Sequence, residues 1–197
     1  MRLIIVGHIS RIEWIDKLRH NLWASDVIVD HGNAGAYEQH KCALEVAARY
    51  DERCIIIEDD AIPVEDFYPM VQQWFDRYPE TLISFYLGTS RPFEWQRWVD
   101  GAVDDVAKAG SDHIKFNGLM HGLCYSIPPN EIARVLEKMQ PGAADEAIGR
   151  AWGREVVYPV ESLVQHRDGT PVERHPDGQV RDQPRVARKL AGPLMYG

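Results

Sequence analysis

Two kinds of hydrophobic pattern alternate along the chain. Short stretches with several consecutive apolar residues, such as residues 2–6 and 54–58, are typical of strands buried on both faces of a sheet. Longer stretches place apolar residues at every third or fourth position, as residues 12–23 and 36–50 do, and these predict amphipathic helices. Strands that alternate with helices of this length indicate an α/β fold with a sheet that is parallel at least in its first half.

Six strands and five helices are predicted on this basis. The strands are residues 2–6, 26–30, 54–58, 81–87, 122–127 and 155–160. The helices are residues 12–23, 36–50, 65–78, 129–139 and 145–152. Pro69 is expected to start or kink the third helix. From about Arg167 onward the periodicity disappears and Gly, Pro, Arg and Asp dominate, which predicts an extended tail.

The composition suits one large domain, because the chain has 197 residues of which 45% are hydrophobic. We expect residues 1–168 to form this domain and residues 169–197 to form a tail that packs on or near the functional site. No apolar run is long enough for a signal peptide core or a membrane span. Cys42, Cys54 and Cys124 are widely spaced, and we expect buried thiols in a reducing, cytoplasmic compartment.

The net charge of −8 is unevenly distributed. Residues 163–197 carry six Lys/Arg against four Asp/Glu, whereas the rest of the chain carries 16 against 26. An acidic body disfavours non-specific binding to nucleic-acid phosphates, and the basic tail leaves a local exception open.

Three consecutive acids, Glu58, Asp59 and Asp60, follow the buried strand at residues 54–58. In open α/β sheets, ligands bind beyond the carboxyl ends of the strands. Because side chains alternate along a strand, Glu58 and Asp60 are expected on one side and Asp59 on the other. Adjacent acids repel one another unless a cation is present, and carboxylates suit Mg²⁺ or Mn²⁺. The alternative is a solvated acidic turn in which Asp59 or Asp60 caps the next helix.

Five segments, in chain order, resemble glycosyltransferases of the GT-A fold, above all the lipopolysaccharide-type enzymes of family 25 and compact phage-encoded members. In residues 55–67 (IIIEDDAIPVEDF), the acids are followed by a small residue, an apolar residue, Pro and then Asp-Phe. The other segments are residues 32–47, 121–139, 143–152 and 156–169. The resemblance implies a Rossmann-like, GT-A-like sheet, mixed and mostly parallel, with helices on its faces.

The resemblance also implies a nucleotide-sugar donor, with UDP as the expected nucleotide. The residues expected to contact it are Gly7, His8, Ser10, Arg11, Asp30, His40, Glu58 and Asp59. Arg11 would face the diphosphate, and Asp30 would accept hydrogen bonds from the nucleoside. Asp30 is equally well explained as a turn residue in the sequence DHGN.

A metal ion, Mn²⁺ or Mg²⁺, is implied at Asp60, with Glu58 or Asp59 assisting. His166 matches the late histidine from which GT-A enzymes often take a further ligand, and His175 is the second choice. Arg167 is placed to pair with phosphate.

A general base is implied because family 25 resemblance suggests an inverting reaction, in which the acceptor hydroxyl must lose its proton. Asp145 and Glu146 are the candidates. The alternative for Asp145 is that it caps the helix that follows.

The segment at residues 89–101 is rich in Trp and Arg. Trp95 and Trp98 lie three residues apart, so they would share a side of a helix. A lid or acceptor platform and a small satellite core explain the pattern equally well.

The favoured function is therefore a metal-dependent hexosyltransferase acting on a hydroxyl of a glycan, a protein or hydroxymethylated DNA. Two alternatives remain open at the level of sequence. One is a non-catalytic nucleotide-sugar or carbohydrate-binding relative. The other is a nucleotidyl or phosphoryl enzyme, which is disfavoured because the chain has no GxxxxGK[ST] loop.

Overall fold

The computed structural model of the chain describes residues 1–32, 34–89, 93–169, 172 and 184–196. The strands are β1 Arg2–His8, β2 Asp26–Asp30, β3 Cys54–Glu58, β4 Ala61–Pro63, β5 Ile83–Ser84, β6 His113–Asn117, β7 Cys124–Ser126, β8 Glu155–Pro159 and β9 Val164–His166. The α-helices are α1 Ile12–Leu22, α2 Ala36–Ala47, α3 Phe67–Arg77, α4 Phe93–Lys108, α5 Ile132–Lys138 and α6 Ala144–Trp152.

Within these residues, seven strands form one sheet in the order β2-β1-β3-β7-β5-β8-β6. β1 is parallel to both β2 and β3, and β5 is parallel to β8. β7 runs antiparallel between β3 and β5, and β6 is antiparallel to β8. Five of the seven strands therefore share one direction, which confirms the predicted mixed, mostly parallel sheet.

Helices cover both faces of the sheet, so consecutive strand residues, which point to opposite faces, are both buried. Ile4 and Val6 of β1 pack in the core beneath α2, α4, α5 and α6. Leu3 and Ile5, which alternate with them, pack in the second core beneath α1 and α3. This double coverage explains why residues 3–6 of β1 and 54–57 of β3 are all apolar or thiol side chains.

The described part of the C-terminal segment, residues 184–196, lies across the second core. Its backbone forms bridges from Ala187 to Gly88, from Leu190 to Ser162 and from Leu194 to Val64. Apolar side chains of this segment, including Leu190 and Leu194, pack against the core beneath α1 and α3. The division of the chain at residue 168 stays a prediction.

Four of these α-helices and strands were missed by the pattern analysis, namely α4, β4, β6 and β9. α4 extends over a segment for which only a possible helical turn was considered, and β6 was not predicted. β4 and β9 form a separate two-stranded antiparallel sheet of three residues each. Of the strand predicted at residues 81–87, only Ile83–Ser84 is paired as a strand.

The prediction of three buried thiols is wrong for Cys42. Cys54 and Cys124 are buried in β3 and β7, whereas Cys42 is exposed on α2. An amphipathic helix alternates covered and solvent-facing positions, and Cys42 falls on the outer side of α2.

No helix in the described ranges combines the length and the apolar character that crossing a membrane requires.

Candidate functional site

Charged side chains gather where β1 and β3 end at the same edge of the sheet. Asp59 and Asp60 directly follow β3, and they are only 4% and 5% exposed. Arg11, from the turn between β1 and α1, places Nη1 2.8 Å from Asp59 Oδ1 and 2.7 Å from Asp60 Oδ2. The two carboxylates thus share one guanidinium, which compensates part of their repulsion.

The predicted alternation of the three acids stops at Asp60. Glu58 faces α2 and Asp59 faces α1, as expected for consecutive residues of a strand. β3 ends at Glu58 and the chain turns at Asp59 and Asp60, so Asp60 also comes within reach of Arg11. The prediction that only Asp59 lies on the side of α1 is therefore wrong.

Gly7 allows this close arrangement. A Cβ atom at Gly7 would lie 2.7 Å from both Cβ and Oδ2 of Asp59 and 2.8 Å from Cδ1 of Ile15. The next residue, His8, donates its backbone N–H to Asp59 Oδ2 at 2.8 Å. Burial raises the pKa of Asp59, although the hydrogen bonds from His8 and Arg11 oppose this shift.

We expect Gly7→Ala to lower the free energy of unfolding by about 1–3 kcal/mol, because the added methyl group must displace Asp59 or Ile15. Gly32→Ala is the matched control, since a Cβ at Gly32 would have no atom within 4 Å. Urea unfolding of both variants measures the difference. Equal stability of the two variants would contradict the close contact at Gly7.

Asp60 meets His166 because β4 and β9 pair. The register places Ala61 opposite His166, and the backbone N–H of Arg167 donates to the carbonyl of Asp60 at 2.7 Å. His166 Nε2 lies 3.5 Å from Asp60 Oδ2. Burial lowers the pKa of His166, despite the opposing effect of Asp60, and this favours the neutral imidazole that binds metals.

The donor set at Asp60 fits a divalent cation in part. Asp60 Oδ1 and His166 Nε2 are buried and have no hydrogen-bond partner among the described residues. No group of three or more metal-binding side chains occurs within the described ranges. A cation bound there would draw its remaining ligands from water or phosphate, as Mg²⁺ commonly does. The metal stays a prediction.

A second cation reaches Asp60 from the C-terminal segment. Arg185 Nη2 lies 3.7 Å from Asp60 Oδ2. Asp60 is thus surrounded by Arg11, Arg185 and His166. The structure therefore supplies from its own side chains much of the positive charge that the acid group requires.

Glu58 belongs to a hydrogen-bonded chain on the other face of the sheet. His40 of α2 places Nε2 3.3 Å from Glu58 Oε1 and Nδ1 3.0 Å from the hydroxyl of Tyr125. Burial raises the pKa of Glu58, but the hydrogen bond from His40 and the charge of Arg185 hold it below the ordinary value. A Cβ at Gly122 would lie 3.0 Å from Glu58 Oε1, so glycine keeps this position open.

The two candidate bases, which are adjacent in the first turn of α6, have different environments. Asp145 lies near enough to Glu58 and His40 for their charges to affect its pKa, which burial raises to about 6. Glu146 points to solvent and pairs with Arg150 one turn later. Asp145 is therefore influenced by the charge of Glu58, whereas Glu146 pairs with Arg150 at the surface.

The capping alternative for Asp145 holds only in part, because Asp145 bonds to an N–H of the first turn of α6 but is not its N-cap residue. Ala143 occupies the N-cap position of α6 and makes no side-chain capping bond. Asp145 lies inside the first turn, where its Oδ1 accepts the N–H of Glu146 at 2.8 Å.

Asp30 organises the turn before α2. Its two carboxylate oxygens accept the N–H groups of Gly32 and Gly35 at 2.9 and 3.0 Å. These backbone hydrogen bonds, first that of Gly35, lower the pKa of Asp30 to about 2. The structure shows the turn role of Asp30, and its contact with a nucleoside stays a prediction.

A cleft of about 340 Å³ opens beside the acids. Its lining residues are Ser10, Arg11, Trp14, Asp59, Asp60, Arg167, Gly169 and Val172. The guanidinium carbon of Arg167 lies 2.9 Å from the ring centroid of Trp14. Arg167 Nη1 is buried and has no hydrogen-bond partner within the described ranges. His8 lies at the edge of this region, and its Nδ1 contacts Ser10 Oγ at 2.8 Å.

The two tryptophans of α4 differ in environment. Trp95 packs against the core beneath α4, whereas Trp98 is 74% exposed. The core interpretation therefore holds for Trp95, and the platform role stays a prediction for Trp98. The preceding residues 90–92, and His175, lie outside the described residues.

Four residues near the acids were not assigned to the site from sequence: Trp14, Tyr86, His121 and Arg185. Arg185 lies in a segment without periodicity, and Trp14 has the spacing of an ordinary helix residue. Tyr86 lies in an apolar run that was interpreted as strand. Of the four, only His121 could have been assigned to the site from sequence, because it directly precedes Gly122 in a segment that carries the family resemblance.

Comparison with solved structures identifies the fold. A197 from STIV superposes with a TM-score of 0.52 at 15% identity, covering 100% of this chain and 99% of that chain. UDP-glucose pyrophosphorylase complexed with UDP-glucose gives a TM-score of 0.45 at 11% identity, covering 80% and 72% of the two chains. A putative glucose-1-phosphate thymidylyltransferase from Bacillus anthracis gives 0.39 at 13% identity, covering 79% and 65%.

At such identities the first likeness shows a shared fold alone, and the two weaker ones support no functional statement. No protein-family model matches the chain, and no curated protein shows significant similarity to it. The chain is thus a mixed α/β protein with a Rossmann-like sheet, and its resemblance to family 25 stays a prediction.

Proposed function

We propose that the protein is a metal-dependent glycosyltransferase that moves a sugar from a nucleoside diphosphate to a hydroxyl acceptor. The observation that carries the proposal is the convergence of Asp60, His166 and Arg11 at the carboxyl edge of β1 and β3. Ligands of open α/β sheets bind at this edge.

Cationic side chains suited to a diphosphate surround the cleft. Arg11 and Arg167 line it, and Arg185 approaches the same carboxylate as Arg11. Guanidinium groups bind phosphate oxygens through paired N–H donors. We infer that these three residues position the diphosphate and that Asp59 keeps Arg11 oriented toward it.

Asp60 and His166 would hold a Mn²⁺ or Mg²⁺ ion. Such an ion acts as a Lewis acid that stabilises negative charge on the departing nucleoside diphosphate. The buried oxygen and nitrogen atoms that lack a hydrogen-bond partner at these two residues support this assignment.

Asp145 would serve as the general base. In the proposed step, the acceptor oxygen bonds to C1 of the sugar as the bond from C1 to the phosphate oxygen breaks. The electron pair leaves with the nucleoside diphosphate, and the acceptor proton passes to Asp145. A carboxylate with a pKa of about 6 is still ionised at neutral pH and is a stronger base than an ordinary one.

A panel of nucleotide sugars tests the proposal. UDP-glucose, UDP-galactose, UDP-N-acetylglucosamine, GDP-mannose, ADP-glucose and dTDP-glucose are each incubated with the protein and Mn²⁺. Release of nucleoside diphosphate from one of them supports the proposal. Binding without release would indicate a non-catalytic relative, and formation of pyrophosphate from a nucleoside triphosphate and a sugar 1-phosphate would indicate a nucleotidyltransferase.

We expect His166→Ala to weaken Mn²⁺ binding and nucleotide binding together, because it removes one of two protein ligands. A loss of about 10- to 100-fold in metal affinity is expected, measured by titration calorimetry. His20→Ala, at an exposed position of α1, is the control and is expected to bind as the wild type does. If His175→Ala weakens the binding of both Mn²⁺ and nucleotide while His166→Ala weakens the binding of neither, the late metal ligand is His175.

A further inference from the structure

Of the two arginines that line the cleft, Arg167 is the one that no carboxylate of the described residues neutralises. Arg11 is bonded to both acids of the cleft, with Nη1 2.8 Å from Asp59 Oδ1 and 2.7 Å from Asp60 Oδ2. The guanidinium of Arg167 forms no ion pair or hydrogen bond with a described residue, and its Nη1 is buried. A partly buried cation without a partner is unfavourable, so this position calls for an anion.

The guanidinium of Arg167 can be reached from the cleft, although Nη1 itself is enclosed. Arg167 is half-buried as a whole, and it forms part of the cleft lining together with Trp14. The volume of the cleft, about 340 Å³, lies within the range of about 300–1,000 Å³ that small-molecule sites occupy. A small anion can therefore enter and meet the N–H donors of Arg167.

Trp14 of α1 fixes the direction of this guanidinium. The ring centroid of Trp14 lies 2.9 Å from Cζ of Arg167, so the indole covers one face of the guanidinium. All five N–H donors of an arginine lie in the guanidinium plane, so stacking leaves them available at its edge. The backbone of Arg167 is also held, since its N–H donates to the carbonyl of Asp60 at 2.7 Å. Trp14 and Arg167 thus form one side of the cleft, the Trp14–Arg167 wall.

Lys17 adds positive charge beside this wall. It lies one turn after Trp14 on α1, with Nζ 5.1 Å from the ring centroid of Trp14 and 4.3 Å from that of Tyr196. The two acids that line the cleft are both bonded to Arg11. Attraction by Arg167 and Lys17 therefore favours the wall as the place where an anion binds.

The geometry of a stacked guanidinium suits a phosphate group. Its N–H donors form a planar fork that matches two oxygens of a phosphate or a carboxylate. A phosphate group carries more negative charge than a carboxylate and accepts through three oxygens, so it gains more from Arg167 and Lys17. Asp60 and His166, to which the proposed function assigns the metal, are not needed for these contacts.

We propose that the Trp14–Arg167 wall binds a phosphate group directly, without a metal ion, and that Trp14 is the residue that positions the guanidinium. The inference rests on the proposed function for the source of that phosphate, which is the diphosphate of the nucleotide sugar. It divides the donor contacts between a metal ion at Asp60 and a wall that acts independently of the metal.

Titration of the protein with inorganic pyrophosphate in the presence of EDTA tests the wall. Pyrophosphate carries the diphosphate chemistry without a nucleoside or a sugar, and EDTA removes any divalent cation. The wild type is expected to bind it, and Arg167→Gln to bind it about 10- to 100-fold more weakly. Arg49→Gln, at an exposed position after α2, is the matched control and should bind as the wild type does. A wild type that binds no pyrophosphate, or an Arg167→Gln variant of unchanged affinity, overturns the inference.

Two substitutions of Trp14 test its positioning role. Trp14→Leu removes the aromatic face and should weaken pyrophosphate binding about 3- to 10-fold, whereas Trp14→Phe keeps such a face and should stay within about two-fold of the wild type. The affinity for Mn²⁺, measured separately without EDTA, should be unchanged in both variants. Equal pyrophosphate affinities of the two variants, or a parallel loss of Mn²⁺ affinity in Trp14→Leu, would mean that Trp14 does not act through the guanidinium, and would overturn the inference.

Failure of the proposed function gives a different result. Pyrophosphate binding in the expected pattern, without release of nucleoside diphosphate from any nucleotide sugar of the panel, overturns the proposed function and leaves the phosphate-binding wall in place. Turnover of a nucleotide sugar by the wild type, with pyrophosphate affinity unchanged in Arg167→Gln and Trp14→Leu, overturns the inference alone.

Discussion

Replacement of Asp60 by Asn should reduce metal-stimulated turnover by about 10³-fold, because several kcal/mol of charge stabilisation on the leaving group would be lost. Asn keeps the size of the side chain but cannot supply an anionic oxygen to a divalent cation. The fold should persist, since Arg11 remains bonded to Asp59 at 2.8 Å. Nucleoside diphosphate release is measured over a range of Mn²⁺ concentrations, with far-UV circular dichroism as the check on folding.

Asp112→Asn is a suitable control for this substitution. Asp112 is also paired with an arginine, Arg77, but the pair is exposed and belongs to α3 and the loop before β6. Its loss should leave turnover within about two-fold of the wild type, because exposed ion pairs contribute little. Full Mn²⁺-dependent activity in Asp60→Asn would exclude the acid group as a metal site.

Replacement of Asp145 by Asn should lower kcat by about 10²–10⁴-fold and leave the affinity for the nucleotide sugar nearly intact. A base removes a proton from the acceptor and contributes little to donor binding. Glu146→Gln is the matched control, because Glu146 is adjacent and exposed and pairs only with Arg150 among the described residues. Normal transfer rates in both variants would place the base elsewhere or indicate a retaining reaction.

The pH dependence gives a second test of Asp145. Its pKa of about 6 predicts that kcat of the wild type falls as the pH is lowered through 6, since the base becomes protonated. This decrease should be absent from the residual activity of Asp145→Asn. A wild-type profile that is flat between pH 5 and 7 would contradict the assignment.

Although Asp145→Asn should lower activity, it should raise the stability of the folded protein at pH 7. A carboxyl group with a raised pKa binds its proton more tightly in the folded chain than in the unfolded chain, so the fold loses stability as the pH rises from about 4 to about 6 and stays destabilised above that. Asp145→Asn removes this cost, and at pH 7 the free energy of unfolding should rise by about 1–3 kcal/mol. Below about pH 4 the two proteins should be equally stable. Urea unfolding at both pH values measures the difference.

Much of the sheet could be predicted because several of its strands are strongly patterned. β2 and β3 have the predicted boundaries, since both are apolar between charged or polar ends. The strand predicted at residues 81–87 is longer than the observed β5, which is Ile83–Ser84. After Ser84 the N–H of Phe85 still donates to the carbonyl of Cys124 in β7, but the regular ladder then ends. The carbonyl of Phe85 accepts the N–H of Leu163, and the N–H of Leu87 donates to the side chain of Ser162.

The missed elements have physical explanations. α4 contains Gly101 and several acids, which weaken the helical pattern and hide its length. β4 and β9 have three residues each, too few to show a period of two. β6 carried a usable signal, because Ile114 is buried between exposed and half-buried neighbours in a short alternating strand.

The part of the candidate site that is formed by residues adjacent in the sequence could be predicted. Glu58, Asp59 and Asp60 end a strand, and that position alone indicated the ligand edge. The approach of His166 depends on the pairing of β4 and β9, for which only the family resemblance gave a hint. Arg185 and Tyr86 could not be assigned, because their proximity to the acids comes from tertiary packing of distant segments.

The contacts made by residues 184–196 determine how late in its synthesis the protein can complete the surroundings of Asp60. The bridge from Leu194 to Val64 and the approach of Arg185 to Asp60 join parts of the chain that leave the ribosome far apart in time. β1, β2 and β3 can pair while these late residues are still being translated, but the set of cations around Asp60 is incomplete until they arrive. Contacts of such long sequence separation form late and slowly. A nascent chain should therefore carry the paired strands β1, β2 and β3 before the set of cations around Asp60 is complete.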